Sequence, residues 1–266
     1  MSRIETVTPG GFSMRFFRFG KGTRVLAILP GLSVQSVMGL ADAVEESYRL
    51  LTDDFTLYVF DRREHVPAAY SMQDMARDTE EVFDALGLKH MSVFGASQGG
   101  MLAMQIALDR PDLMDKLMLG STTAHMTEQR FYLIEKWIAL AKEGRAEDLY
   151  LSFGQAIYPQ DMFDQSRQAL MEAAAAVTGE ELSRFVILAE SMKGFDVRDK
   201  LHELDCPVLV IGDDSDEVLG ADASLQLADH LGARPGVELS RYSGYGHAVY
   251  DTAPDCRERM LRFLTT

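Results

Sequence analysis

Residues 91–101 read Met91-Ser92-Val93-Phe94-Gly95-Ala96-Ser97-Gln98-Gly99-Gly100-Met101, and this stretch decides how the whole chain is interpreted. It begins as an apolar β-type run and passes into an apolar helical pattern from Met101 onward. A strand that turns into a helix within one residue strains the backbone and brings neighbouring chain close, so small residues are required on both sides. Gly95 and Gly99 meet that requirement. The turn should lift the Ser97 hydroxyl to the helix N-terminus, where N–H groups and the helix dipole favour developing negative charge.

The chain around this turn alternates between strand and helix patterns. Ser71 is expected to cap a helix that ends at Gly87. The first two predicted strands are expected to form a hairpin across the turn Gly20-Lys21-Gly22. Repeated strand–helix units predict an α/β fold with a mostly parallel central sheet flanked by helices. Strands are predicted at about 13–19, 24–29, 55–60, 91–94, 115–120, 207–212 and 237–242.

The segment 121–200 interrupts this rhythm, because it contains helical runs and no convincing strand. We interpret it as a helical cap inserted into a core domain that is formed by residues 1–120 and 201–266. His125 and Arg130, near its start, could face a pocket. Its apolar residues suggest an apolar pocket, although packing of a helical layer accounts for most of them. They are Met126, Trp137, Met162, Phe163, Met171 and Met192.

Composition narrows the classes of partner. The formal net charge is −15, with lysine and arginine scattered, which argues against binding of nucleic acid or an anionic membrane surface. No apolar stretch approaches the length of a membrane span, and residues 1–6 do not resemble a signal peptide. A cytoplasmic location is therefore expected, with Cys206 and Cys256 as free thiols. The cysteines lack metal-binding spacing and the acidic residues lack an EF-hand pattern, so no metal and no cofactor are expected.

A serine hydroxyl becomes a nucleophile when a base takes its proton and an acid orients that base. Two loops that follow predicted strands carry suitable groups. The loop 212–220 contains four carboxylates, and the loop 243–249 contains His247 after a glycine-rich turn. The chain order Ser, Asp, His is the order that a serine on a strand–helix turn requires. The other histidines have no such setting and are expected to be structural or solvated; they are His65, His90, His125, His202 and His230.

Together these features resemble the α/β-hydrolase family over nearly the whole chain. The loop after the first central strand of that family usually reads His-Gly, whereas this chain has Pro30-Gly31, without an imidazole to help hold the loop. By matching position, the resemblance implies that the backbone N–H groups of Leu32 and Gln98 form the oxyanion hole. The resemblance rests on Leu29-Pro30-Gly31, Phe60-Asp61-Arg62, Gly95-Ala96-Ser97-Gln98-Gly99-Gly100, the acidic loop after Ile211-Gly212, and Gly244-Tyr245-Gly246-His247.

The acidic loop has one residue more than the family pattern, which places Ser215 at the usual position of the acid. Asp216 fits best, because Asp216-Glu217-Val218 resembles the Asp-x-Val run that precedes the next helix in the family. Asp214 is the second candidate and Asp213 the third.

The resemblance implies acyl transfer with Ser97 as nucleophile, His247 as base and Asp216 as the orienting acid. The leading hypothesis is hydrolysis of carboxylic esters or lactones, with a small, apolar molecule as substrate. A serine in place of an aspartate nucleophile argues against dehalogenase and epoxide-hydrolase chemistry. The alternatives are hydrolysis of a carbon–carbon bond or an amide by the same triad, and a ligand sensor without enzymatic activity. A homodimer is compatible with all of these.

Overall fold

A computed structural model describes residues 3–266 of the chain and contains one eight-stranded sheet. The strand order is β1-β2-β4-β3-β5-β6-β7-β8, with β1 and β2 antiparallel to their neighbours and the remaining strands parallel. The mostly parallel α/β sheet predicted from the sequence is confirmed. The strands are β1 (Ile4–Val7), β2 (Met14–Gly20), β3 (Arg24–Leu29), β4 (Phe55–Arg63), β5 (Met91–Ala96), β6 (Met114–Gly120), β7 (Val208–Asp213) and β8 (Val237–Tyr242).

Helices cover both faces of the sheet. Side chains alternate along β3, so that Ala27 and Leu29 join one buried apolar cluster while Leu26 and Ile28 join the other. No helix within residues 3–266 is both long and apolar enough to cross a membrane. The α-helices are α1 (Ala41–Ser47), α2 (Met72–Ala85), α3 (Gln98–Asp109), α4 (Glu128–Lys142), α5 (Ala146–Ile157), α6 (Gln160–Ala175), α7 (Gly179–Glu190), α8 (Ala223–Leu231), α9 (Val249–Thr252) and α10 (Cys256–Thr265).

Helix α2 begins and ends where its sequence predicts. The Ser71 side chain accepts the N–H of Asp74, and the Asp74 carboxylate accepts the N–H of Ser71, which forms a capping box. Beyond the helix, Gly87 has a φ of 68°, a left-handed conformation that favours glycine. The face of α2 that includes Met75, Val82 and other apolar residues is buried, so the amphipathic pattern sets how the helix lies on the sheet.

The predicted hairpin between β2 and β3 is wrong. Strand β2 instead pairs antiparallel with β1 and β4, and β3 lies between β4 and β5 in parallel. The reason is visible in the residues: Leu26 to Leu29 are all buried, which suits a strand that is covered on both faces, as in a parallel sheet. The pattern of β2 is more mixed, with Arg18 and Gly20 exposed, and it lies nearer the sheet edge.

Four helices, α4 to α7, connect β6 to β7. The two ends of this connection are joined, since the N–H of Met126 donates to Phe195 O at 2.8 Å and the N–H of Val197 donates to Ala124 O at 2.9 Å. We call residues 121–200 the helical insertion. The division of the chain into a core domain and a cap domain stays a prediction.

Candidate active site

Ser97 lies between β5 and α3, at the carboxyl edge of the sheet. Its φ of 51° and ψ of −118° are unusual for a residue with a side chain, and such strain is concentrated at functional sites. Surrounding hydrogen bonds hold the turn in place. The Ser97 N–H donates to Gly120 O at 2.8 Å, and the Thr122 hydroxyl donates to Ser97 O at 2.7 Å.

The glycines on either side of Ser97 are required by close approach of the backbone. A Cβ on Gly95 would lie 2.7 Å from the Cα of Gly100, a separation that Cβ atoms do not adopt. A Cβ on Gly99 would overlap the carbonyl group of Leu29 at the end of β3. The sequence prediction that small residues are needed at these two positions is therefore confirmed.

His247 and Asp216 lie beside Ser97, and all three side chains are buried. His247 Nε2 is 2.9 Å from Ser97 Oγ, and His247 Nδ1 is 3.0 and 2.9 Å from the two carboxylate oxygens of Asp216. The histidine follows β8 through a turn in which Gly244 and Gly246 have φ of 83° and 72°. The arrangement allows a proton to pass from the Ser97 hydroxyl to an imidazole whose other nitrogen faces a carboxylate.

Hydrogen bonds keep the Asp216 carboxylate ionised inside the protein. Its Oδ1 accepts the N–H groups of Val218 at 2.9 Å and Leu219 at 3.0 Å. Burial alone would raise the pKa of Asp216, but His247 and the two N–H donors outweigh that effect and hold the pKa below its usual value. A negative charge beside Nδ1 therefore persists at neutral pH.

The structure brings Asp216, and neither Asp214 nor Asp213, to the imidazole of His247. Asp214 is exposed to solvent. Asp213 is buried, but its Oδ1 accepts the Ser215 N–H at 2.8 Å and its Oδ2 accepts the N–H of Tyr245 at 3.0 Å. Asp213 thus ties the loop of the acid to the loop of the histidine, a role that the sequence reasoning missed.

Leu32 lines the same cavity as Ser97, and Gln98 follows Ser97 directly in the chain. Gly31 approaches the serine so closely that a Cβ on it would lie 3.2 Å from Ser97 Cβ, and Gln98 is the first residue of α3. Within residues 3–266, neither the Leu32 N–H nor the Gln98 N–H donates to a protein acceptor. Their role as oxyanion donors stays a prediction.

Sequence reasoning missed the side chain of Gln98. It is completely buried, and its Nε2 donates to Leu188 O of α7 at 2.6 Å. Its Oε1 accepts an N–H of Arg62, at 3.4 Å. Gln98 therefore links the serine turn to the helical insertion on one side and to the end of β4 on the other. An amide side chain directly after Ser97 was the signal in the sequence, but its partners are distant along the chain.

A second carboxylate is buried at the same edge of the sheet. Asp61, near the end of β4, accepts the Ser36 hydroxyl at 2.5 Å and Nη2 of Arg184 from α7 at 2.8 Å. Burial would raise the pKa of Asp61, yet the Arg184 charge and the Ser36 hydroxyl hold it below its usual value. The pair fastens the helical insertion to the core.

A small cavity of about 40 Å³ lies next to Ser97 and His247. Val218 and Tyr250 line it from the core, and five apolar residues line it from the helical insertion. Of the apolar residues that the sequence suggested for a pocket, Trp137 and Met192 do so, whereas Met126, Met162, Phe163 and Met171 do not. The five are Ile134, Trp137, Phe153, Ile157 and Met192.

Arg130 and His125 lie outside this cavity. The buried Arg130 donates through Nε to Leu219 O at 2.9 Å and through Nη2 to Gln226 at 3.1 Å, beside a separate polar cavity of about 260 Å³. It thereby supports the segment whose N–H groups hold Asp216. His125 Nε2 lies 3.9 Å from Asp196 Oδ2, where the two ends of the helical insertion meet. Among residues 3–266, no cluster of three or more His, Cys, Asp or Glu residues could hold a metal ion.

Comparison with known proteins identifies the family of the fold. Residues 28–254 match the family model of the alpha/beta hydrolase fold. The "Putative carbamate hydrolase RutD" of Agrobacterium fabrum is 26% identical over 223 residues, which are 80% of this chain and 84% of that protein. The structure of MGS-M2, an alpha/beta hydrolase enzyme from a Medee basin deep-sea metagenome library, has a TM-score of 0.87 at 20% identity and covers 98% of both chains. The esterase EaEST from Exiguobacterium antarcticum has a TM-score of 0.81 at 18% identity, covering 98% of this chain and 99% of its own. Since the family model spans far more than half of the sequence, the chain belongs to the α/β hydrolase fold family.

Proposed function

We propose that this protein is a serine hydrolase that cleaves small, apolar carboxylic esters or lactones through an acyl-enzyme. The proposal rests on one observation, the hydrogen-bonded series of Ser97, His247 and Asp216 facing a small apolar cavity. A buried hydroxyl within 2.9 Å of an imidazole that in turn contacts a carboxylate is the arrangement that serine nucleophiles need.

In this mechanism His247 Nε2 takes the proton of Ser97 while Oγ forms a bond to the carbonyl carbon of the substrate. The carbonyl oxygen becomes negatively charged and accepts the N–H groups of Leu32 and Gln98. His247 then gives its proton to the alcohol oxygen, and the bond between that oxygen and the acyl carbon breaks. Water repeats the sequence and releases the acid. Asp216 holds the Nδ1–H tautomer and stabilises the imidazolium.

The size of the cavity points to short acyl groups. A volume of about 40 Å³ has room for roughly three water-sized groups, far below the space that large ligands need. We further propose that residues 121–200 act as a cap domain that sets this limit. Trp137 is held firmly in the wall of this cavity. Its indole N–H donates to Ser152 Oγ at 3.0 Å, and its ring packs on Phe153 with 4.5 Å between ring centroids.

A carbamate is the second candidate substrate, because the Agrobacterium fabrum relative carries that word in its name. The lining of the cavity favours an ester. A carbamate would place an amino group among Ile134, Phe153 and Met192, whose side chains offer no strong acceptor. Leaving such a donor unpaired costs about 1–3 kcal/mol.

Hydrolysis of p-nitrophenyl acetate, butyrate, octanoate and carbamate tests the proposal. Steady turnover of acetate and butyrate is expected, with octanoate at least about 100-fold slower and all turnover reduced by about 10³-fold or more in Ser97→Ala. A higher kcat/KM for the carbamate than for the acetate would replace the ester by the second candidate. A single stoichiometric release of p-nitrophenol without turnover would identify a ligand sensor instead.

The cap proposal has a matched pair of variants. Trp137→Ala should enlarge the cavity and raise the ratio of octanoate to acetate hydrolysis by about 10-fold, since a buried aromatic ring is removed. Phe163→Ala removes a buried aromatic of the same insertion that does not line the cavity, and it should leave the ratio unchanged. An equal change in both variants would contradict a role of Trp137 in substrate size.

A further inference from the structure

Arg62 contacts both segments that carry the proposed oxyanion donors. This residue lies near the end of β4 and is only 4% exposed. Its Nη2 donates to Pro30 O at 2.8 Å and approaches Gln98 Oε1 at 3.4 Å. Pro30 stands two residues before Leu32, and Gln98 is itself the second donor. One guanidinium group therefore bridges the two halves of the oxyanion hole.

The neighbouring residue holds the far end of the same loop. Asp61 accepts the hydroxyl of Ser36, while Arg62 binds Pro30, so residues 30–36 are fastened at both ends by two consecutive residues of β4. Leu32 lies between the two anchors. Because residues 30–33 belong to no strand or helix, these contacts help to hold the backbone around Leu32 in place.

The Gln98 side chain is held from two directions. Arg62 donates to its oxygen, and its amide N–H₂ donates to Leu188 O in α7. A side chain that is fixed at both polar ends limits rotation of its own backbone at the start of α3. The direction of the Gln98 N–H thus depends on Arg62 as well.

The energetics of Arg62 argue against a purely structural role. Its Nε is buried and has no hydrogen-bond partner within residues 3–266. Burial lowers the pKa of Arg62 to about 10, so the group is still a cation at neutral pH. Burying a charged group with an unsatisfied donor is costly, and the Asp61 carboxylate offsets only part of that cost.

We propose that Arg62 is a positioning residue that aligns the Leu32 and Gln98 N–H groups as one oxyanion hole. The inference rests on the proposed function, because it assumes that Ser97 attacks a carbonyl group whose oxygen these donors stabilise.

A thionoester separates this role from a general structural one. In the thionoester a sulfur atom replaces the carbonyl oxygen, and sulfur is a weak hydrogen-bond acceptor. Loss of oxyanion alignment should therefore slow the ester much more than the thionoester. Displacement of Ser97 or His247 would slow both substrates equally, because both need the same nucleophile and base.

The experiment compares kcat/KM for p-nitrophenyl acetate and p-nitrophenyl thionoacetate in wild type, Arg62→Met, Arg62→Lys and Arg63→Met. Arg62→Met should lower the ester value by about 10- to 100-fold and the thionoester value by less than about 3-fold. Arg62→Lys keeps one donor and should restore part of the ester activity. Arg63→Met is the matched control, since Arg63 is adjacent but pairs with Asp78 at 3.2 Å.

Thermal unfolding of each variant accompanies the kinetics. The midpoint for Arg62→Met should fall below that of the wild type, because Pro30 O and Gln98 Oε1 lose their donor, so all kinetics are measured well below the lowest midpoint. Equal losses for ester and thionoester, or no loss for the ester, would overturn the role of Arg62 while the wild type stays active. Absence of Ser97-dependent turnover in the wild type would instead overturn the proposed function, and this inference with it.

Discussion

Two carboxylates are buried at the same edge of the sheet, Asp216 after β7 and Asp61 at the end of β4. Each contacts a basic side chain from another segment, His247 at 2.9 Å and Arg184 at 2.8 Å, and each accepts a backbone N–H. The pKa of each is held below its usual value despite burial. The partners differ, because imidazole exchanges a proton near neutral pH and guanidinium does not. Similar geometry can therefore move a proton in one place and fasten a helix in the other.

The largest effect is expected where the carboxylate faces the imidazole. Asp216→Asn removes the charge that stabilises the imidazolium and disturbs the Nδ1–H tautomer, so kcat for p-nitrophenyl acetate should fall by about 10⁴-fold. Steady-state kinetics at neutral pH measures this loss.

Asp214→Asn is the control, because Asp214 is an exposed neighbour in the same loop. Its kcat should match that of the wild type. An inactive Asp214→Asn with an active Asp216→Asn would reverse the assignment of the acid.

Breaking the other pair should act on stability rather than on proton transfer. Arg184→Met leaves the Asp61 carboxylate buried with Ser36 and a backbone N–H as its remaining partners, so the free energy of unfolding should fall by about 2 kcal/mol. Denaturant titration measures the change.

Lys142→Met is the matched control, because Lys142 of α4 forms an ion pair that also ends on α7. Lys142 pairs with Glu190 of α7, but both side chains are at least 50% exposed. Removal of this exposed pair should leave the denaturation midpoint nearly unchanged. A loss as large as that of Arg184→Met would show that burial does not distinguish the two pairs.

The decrease in stability at acidic pH offers a further comparison. Because the folded pKa of Asp61 is lowered, the native state binds fewer protons than the unfolded state near pH 4. Its contribution is present above the unfolded pKa and is lost as pH falls through the folded pKa. Asp61→Asn should therefore lose less stability between pH 5 and pH 3 than the wild type, as followed by urea titration at each pH.

The smallest expected effect concerns Glu80, a carboxylate whose pKa is raised rather than lowered. Burial and the nearby Asp109 raise the pKa of Glu80, on α2, to about 7, and one of its oxygens is buried without a partner. Its stabilising contribution is fully present below the unfolded pKa and is lost as pH rises through about 7. Glu80→Gln should raise stability at pH 8 by about 1 kcal/mol, allowing for solvent screening of a half-buried group, and change little at pH 4.

Thermal unfolding at both pH values measures the effect, and Glu81→Gln, at an exposed neighbouring position, serves as control. Equal stabilisation by Glu80→Gln at pH 4 and pH 8 would contradict the raised pKa.

Much of the sheet and of the site could be predicted because the signals are local. The Ser71 cap, the glycines around Ser97 and the glycine turn before His247 each depend on backbone conformations that only certain residues adopt. Pairing of β2 could not be predicted in this way. Two strands that are adjacent in the sequence suggest a hairpin. In the structure β3 is buried on both faces and lies between β4 and β5, and β2 pairs with β4 instead.

The residues alone determine the order of Ser97, Asp216 and His247 and the strand–turn–helix around the serine. The reason is that strand periodicity and turn chemistry depend on residues that are close together in the sequence. The contacts that support them are a matter of tertiary structure. Arg62 meets Gln98 across 36 positions, and Gln98 meets Leu188 across 90. Such pairs form only after the carboxyl ends of the strands align and the helical insertion folds over them, because nothing in the local sequence specifies a partner that packing alone brings within hydrogen-bond distance.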